Sequence, residues 1–227
     1  MEKQKETTLM KERGYRSVIT TALHFYTSSF RKIFKATWPF TLAFCLIAAI
    51  TGALLTTYLI PVGLQLLILP GYRWMVVQEH LPLIGGVALL IVANLALLVM
   101  IGRSAGRRLQ LFQRMKQAVR AALRHWALTL GILLLGFIVL VPVCLLLSLP
   151  VIILTTACIQ AQMGTLIGDP LGLPTYFPWL AGATWLLAAF LQVYVLLILL
   201  VVGYYAYGSV ETRQRDREKQ NRTFNNL

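Results

Sequence analysis

"SSFRKIFKATWPFTLAFCLIAAITGALLTTYLI", residues 28–60, changes character at one point. Up to Lys35 it mixes cations with aromatic and aliphatic residues; from Ala36 to Ile60 it carries no charge. As a helix rising 1.5 Å per residue, Trp38 to Ile60 extends about 34 Å, enough to cross about 30 Å of hydrocarbon with some tilt. Peptide groups in hydrocarbon must pair within their own segment, so the run reads as a helix. Trp38 stands where an interfacial anchor belongs, and Pro39 falls in the first turn, where its missing N–H costs little.

The rest of the 227-residue chain repeats this composition, being 58% hydrophobic and 13% charged. Ordinary soluble domains carry about 25% charge. A second span is read from about Leu83 to Gly102 and a fourth from about Pro178 to Tyr207. The third apolar run starts near Trp126 and continues to about Ile159, too long for one untilted crossing. Pro142 and Pro150 are expected to kink or break it, ending the crossing near Pro150 with a short helical extension; re-entry stays open as an alternative. The alternation of membrane β-barrel strands is absent. The fold class is an all-α membrane protein with four transmembrane helices.

Charge sets the expected topology. The net charge is +13, and all of the 21 Lys and Arg residues except Arg73 lie within residues 3–35, 103–124 and 213–222. The intervening connections hold only Glu79 and Asp169 as acids. This is a positive-inside pattern, placing both termini in the cytoplasm and the chain in a cytoplasmic (inner) membrane. It argues for lipid rather than nucleic acid as the partner of the cations. Arg31, Lys32, Lys35, Arg107, Arg108, Arg120 and Arg124 are expected to face anionic headgroups.

Residues 1–14 form a polar tail. No apolar run occurs before about residue 38, so an uncleaved cytoplasmic N-terminus is expected. Residues 15–211 read as a single helical membrane domain, and the charged residues 212–227 as a tail that frays. Tyr15, Val18, Ile19, Ala22, Tyr26, Phe30, Ile33 and Phe34 recur at helical spacing ahead of the first span. Such a basic amphipathic helix suits the membrane interface, or packing beneath the bundle. A similar segment, with Leu109, Phe112, Met115, Val119, Ala122 and Trp126, precedes the third run.

These segments suggest an internal repeat. Each half, 15–102 and 103–211, runs from an amphipathic segment through a Trp and an apolar stretch to Pro-Val: Trp38 to Pro61-Val62, and Trp126 to Pro150-Val151. Both halves begin on the same side, making two parallel-repeat hairpins. The external connections are "PVGLQLLILPGYRWMVVQEHLP" and "QAQMGTLIGDPLGLPTYFP". Trp74, beside Tyr72 and Arg73, and Trp126 join Trp38 as interfacial anchors.

Reaction chemistry is sparse. No acid, Lys, Arg or His lies inside a span, and no Walker loop, HExxH, GxSxG or GxGxxG occurs. Gln78, Glu79 and His80, with Asp169, are the nearest thing to a cluster. Adjacent residues point in different directions, so they read as solvated loop. Cys45, Cys144 and Cys158 lack CxxC spacing and read as small core residues. No catalytic, cofactor-binding or metal residue is expected. Asn94 and Gln192 are buried amides that either brace helices, each bond worth roughly 1 kcal/mol, or line a polar cavity. Gly85, Gly86, Ala88, Ala93 and Ala96 would let another helix approach the second span closely.

The layout of "SFRKIFKATWPF" (residues 29–40) followed by a long span resembles uncharacterised bacterial integral-membrane families. Among them is the membrane domain that accompanies some glycerophosphodiester phosphodiesterases. The resemblance covers the first amphipathic segment and its span; it implies a membrane-domain layout and no site residue, and no phosphodiesterase domain is present. The function expected is a non-enzymatic scaffold or accessory subunit, packing as a homo-oligomer or on a membrane-protein partner. A transporter or channel for a small or lipidic solute is the alternative.

Overall fold

A computed structural model describes residues 15–68, 71, 73–108, 126–168 and 172–225. They form helices and short turns, with no strand among the described residues. The elements are α1 (Tyr15–Leu54), a π-helical turn (Leu55–Leu59), α2 (Ile60–Ile68), α3 (Arg73–Arg108), α4 (Trp126–Ile167) and α5 (Phe177–Asn225). Four stretches are long and apolar enough to cross a membrane: Ser17–Ile68, Arg73–Arg107, Gly136–Thr165 and Phe177–Tyr205. The chain is thus a multi-pass membrane protein by length and composition, and its large exposed aliphatic residues suit hydrocarbon rather than water.

Several sequence expectations change. No break separates the first amphipathic segment from the first span, because α1 runs through Pro39. The connection between the first two spans is largely helical: α2 extends the first span, and α3 begins at Arg73 and runs through Pro82. α4 continues through Pro142 and Pro150 to Ile167 without re-entry. The charged C-terminal segment is helical to Asn225 rather than frayed, in line with the helix propensity of its Arg, Gln, Glu and Lys. The second amphipathic segment, from 109 to 125, lies outside the described residues.

The uninterrupted prolines share a feature. A helical proline takes the N–H from the carbonyl four residues back. For Pro39, Pro82, Pro142 and Pro150 that residue is Lys35, Gln78, Ile138 or Leu146, and all four are exposed, as are the prolines. Each lost bond therefore falls on an outer face, away from the helix contacts.

The chain separates into two compact units. The first holds the described parts of Met1–Thr37, Gly102–Val143 and Tyr194–Leu227. Here the amphipathic face of α1 meets α5: Tyr26 Oη donates to the Tyr194 carbonyl at 2.6 Å, and Phe30 and Phe34 contact the Tyr194 ring, both with centroids 5.6 Å apart. Phe25 lies edge-on to Tyr205. That face is therefore occupied by protein, with Val18, Ala22 and Ile33 fully buried along it. Gly136 of α4 and Gly102 of α3 also pack on α5, against Val202 and Leu199 and against Leu200.

The second unit holds Trp38–Ile101 and Cys144–Val193, less the undescribed residues. Its core gathers Leu154, Cys158, Phe177 and Ala181, with Ala53, Ile60 and Leu173 packed against them. Gly168 has φ 98°, a left-handed conformation that glycine adopts readily, and its N–H bonds the Thr165 carbonyl to end α4.

Candidate functional site

The polar side chains of the second unit are its most specific chemistry. Asn94 of α3 donates from Nδ2 to Thr51 Oγ1 of α1 at 3.2 Å, and Thr51 Oγ1 donates onward to the Ile47 carbonyl at 2.7 Å. Gln192 of α5 donates from Nε2 to Ser148 Oγ of α4 at 2.7 Å, and Ser148 Oγ donates to the Cys144 carbonyl at 2.7 Å. Each pair is thus an amide on one helix, a hydroxyl on another, and the carbonyl one turn back. The hydroxyl is held in place by its own helix, so it presents a lone pair to the amide. The two pairs do not share the sequence-repeat register: the Trp and Pro-Val landmarks are separated by 88 or 89 positions, the paired residues by 97 or 98.

A second polar feature surrounds Pro61. In the π-turn, the Ile60 N–H bonds the Leu55 carbonyl, five residues back, and Pro61 has no N–H. The Thr56 carbonyl is thereby deprived of both backbone donors that could serve it. Cys158 of α4 supplies the replacement, its Sγ donating to that oxygen at 2.9 Å. Thr56 and Thr57 return their own hydroxyls to the Gly52 and Ala53 carbonyls at 2.8 and 2.6 Å. Here the carbonyl left without a backbone donor belongs to a fully buried residue, Thr56, so the loss is repaired inside the protein.

One turn back, the Trp185 indole lies against Gly52, where a β-carbon would overlap ring atoms. Trp185 Nε1, Asn94 Oδ1 and Thr41 Oγ1 are buried and make no hydrogen bond. Glycine at 52 is what admits the indole.

The other residues singled out from sequence are dispersed. Trp38 and Trp74 are exposed, while the Trp126 side chain lies outside the described residues. Arg31, Lys32, Lys35 and Arg107 are exposed; the side chain of Arg108, and Arg120 and Arg124 altogether, lie outside the described residues. Arg73 Nε donates to the Leu66 carbonyl at 3.0 Å, capping the last turn of α2. His80 Nδ1 lies 3.0 Å from the Val76 carbonyl, Glu79 is exposed, and Asp169 lies outside the described residues. Among the described residues no group of three His, Cys, Asp or Glu could hold a metal ion.

Thr51, Ser148, Thr56 and Trp185 were not singled out by sequence reasoning, and Cys158 was read only as a small core residue, not as a donor. Hydroxyls are ordinary in apolar helices, where they bond their own backbone, so only the partner helix reveals their use. The signal that could have found Cys158 is Pro61, which orphans a carbonyl wherever it sits inside a helix.

No protein-family model, curated protein or solved structure matches this chain.

Proposed function

We propose that the protein is a non-enzymatic membrane scaffold that works by helix packing, with a second copy of itself as its first partner. The observation that carries this reading is the outer face of α3. Only 11% of its most apolar stretch is buried, against 28%, 17% and 39% for the other three. Gly85, Gly86, Ala88 and Ala96 are all exposed on it, and a β-carbon at either glycine would meet none of the described residues within 4 Å. Glycine inside a helix costs about 1 kcal/mol relative to alanine. Packing among the described residues uses neither glycine, whereas close approach by another helix would use both.

In this reading the helices cross a cytoplasmic membrane with both termini inside. Exposed Arg31, Lys32, Lys35 and Arg107 hold that orientation against anionic lipid. Light scattering of the protein purified in mild detergent tests the proposal. A homo-oligomer that becomes monomeric in Gly85→Leu/Gly86→Leu is the expected result. A wild-type chain that is monomeric, with no protein bound, removes the proposal.

A further inference from the structure

Two helical registers compete at the π-turn. In an α-helical turn the Ile60 N–H would bond the Thr56 carbonyl, four residues back. Here it bonds Leu55, five back, and the Thr56 oxygen accepts from Cys158 Sγ at 2.9 Å instead. Either way Pro61 leaves a carbonyl without a backbone donor: Thr56 in the π-turn, Thr57 in the α register. The registers therefore carry similar losses, and the thiol, a weak donor, favours the first by a small margin. On one side of the turn α1 is pinned, with the Trp185 indole seated on Gly52. On the other side α2 is lightly held. Val62 is the buried one of its nine residues, and a β-carbon at Gly63 would meet none of the described residues within 4 Å.

We infer that the π-turn is a two-position joint, which Cys158 holds in the π register and which relaxes to the α register without that bond. A π-turn takes up one residue more than the α-turn it replaces. Conversion therefore turns α2 by one residue of helix, about 100°. Val62 leaves its buried place in that motion. Arg73 Nε, bonded to the Leu66 carbonyl at 3.0 Å, ties the start of α3 to it. The joint lies within one chain and does not depend on self-association.

Electron–electron distance measurement on the full chain in lipid bilayers tests the joint. Nitroxides are placed at Leu46→Cys of α1 and Leu67→Cys of α2, both exposed. Cys45→Ala and Cys144→Ala remove two native thiols, and Cys158→Ser, which keeps a donor, gives the reference chain. One distance is expected there. Cys158→Ala in place of the serine should add a second distance. Pro61→Ala added to Cys158→Ala restores every donor of an α-helix and should give that second distance alone. Cys158→Val fills the space without a donor, and decides the matter should Cys158→Ala fail to fold. The joint is overturned if the donor-less chain keeps the reference distance alone, or if its second distance is not the one Pro61→Ala gives.

Discussion

Gly52 of α1 and the Gly85–Gly86 pair of α3 look alike in sequence, each a glycine within an uncharged helix. In the folded chain they are opposites. Trp185 fills the space beside Gly52, and among the described residues nothing lies within 4 Å of where a β-carbon at Gly85 or Gly86 would stand. A small residue in an apolar helix therefore marks close approach without saying whose. Where the chain itself supplies the neighbour, glycine serves stability. Where it does not, we propose that glycine serves assembly.

Substitutions can break this comparison, and Gly52→Ala should have the largest effect. The new methyl overlaps the indole, which must move, and overpacking of this kind costs about 1–3 kcal/mol. The loss should appear in SDS-driven unfolding from mixed micelles. A fully stable Gly52→Ala would mean that Trp185 does not occupy that space.

Cys158→Ala should come next. It strips the last donor from the buried Thr56 carbonyl, for about 1 kcal/mol, the low end for an unsatisfied group because S–H is a weak donor. Cys158→Ser keeps a donor and should lose less in the same assay. Equal losses would mean that the thiol acts only by filling space.

Gln192→Leu should cost about 0.6 kcal/mol, the average for hydrogen bonds between membrane helices. Pairing it with Ser148→Ala should give a non-additive cycle, since the two groups share one bond. Gly85→Ala should be the smallest. Its methyl meets none of the described residues and raises helix propensity, so unfolding should show no loss while the association state responds.

The four spans were legible because twenty apolar residues in hydrocarbon have one stable backbone arrangement. Continuity was not legible. Pro39 read as the first turn of a span, and Pro142 and Pro150 as kinks or breaks, because proline removes a helix bond; yet these prolines, and Pro82, each remove that bond from an exposed residue. The amphipathic stretch from Tyr15 to Phe34 was readable as a helix, but its apolar face would suit lipid or protein equally. Only Tyr194 and Tyr205 on the distant α5 decide for protein. Asn94 and Gln192 were recognisable as amides needing partners, while Thr51 and Ser148 were not recognisable as those partners. Partner choice depends on how helices are rotated toward one another, and local sequence does not carry that.

The claim that α3 presents its open face to a second copy can be tested in native membranes. A cysteine introduced as Ala88→Cys lies on that face, and Phe137→Cys lies on the exposed surface of α4. Under mild oxidation, Ala88→Cys should give a disulfide-linked dimer, and neither Phe137→Cys nor the unmodified chain should. Equal crosslinking at the two positions, or none at Ala88→Cys, would contradict the account.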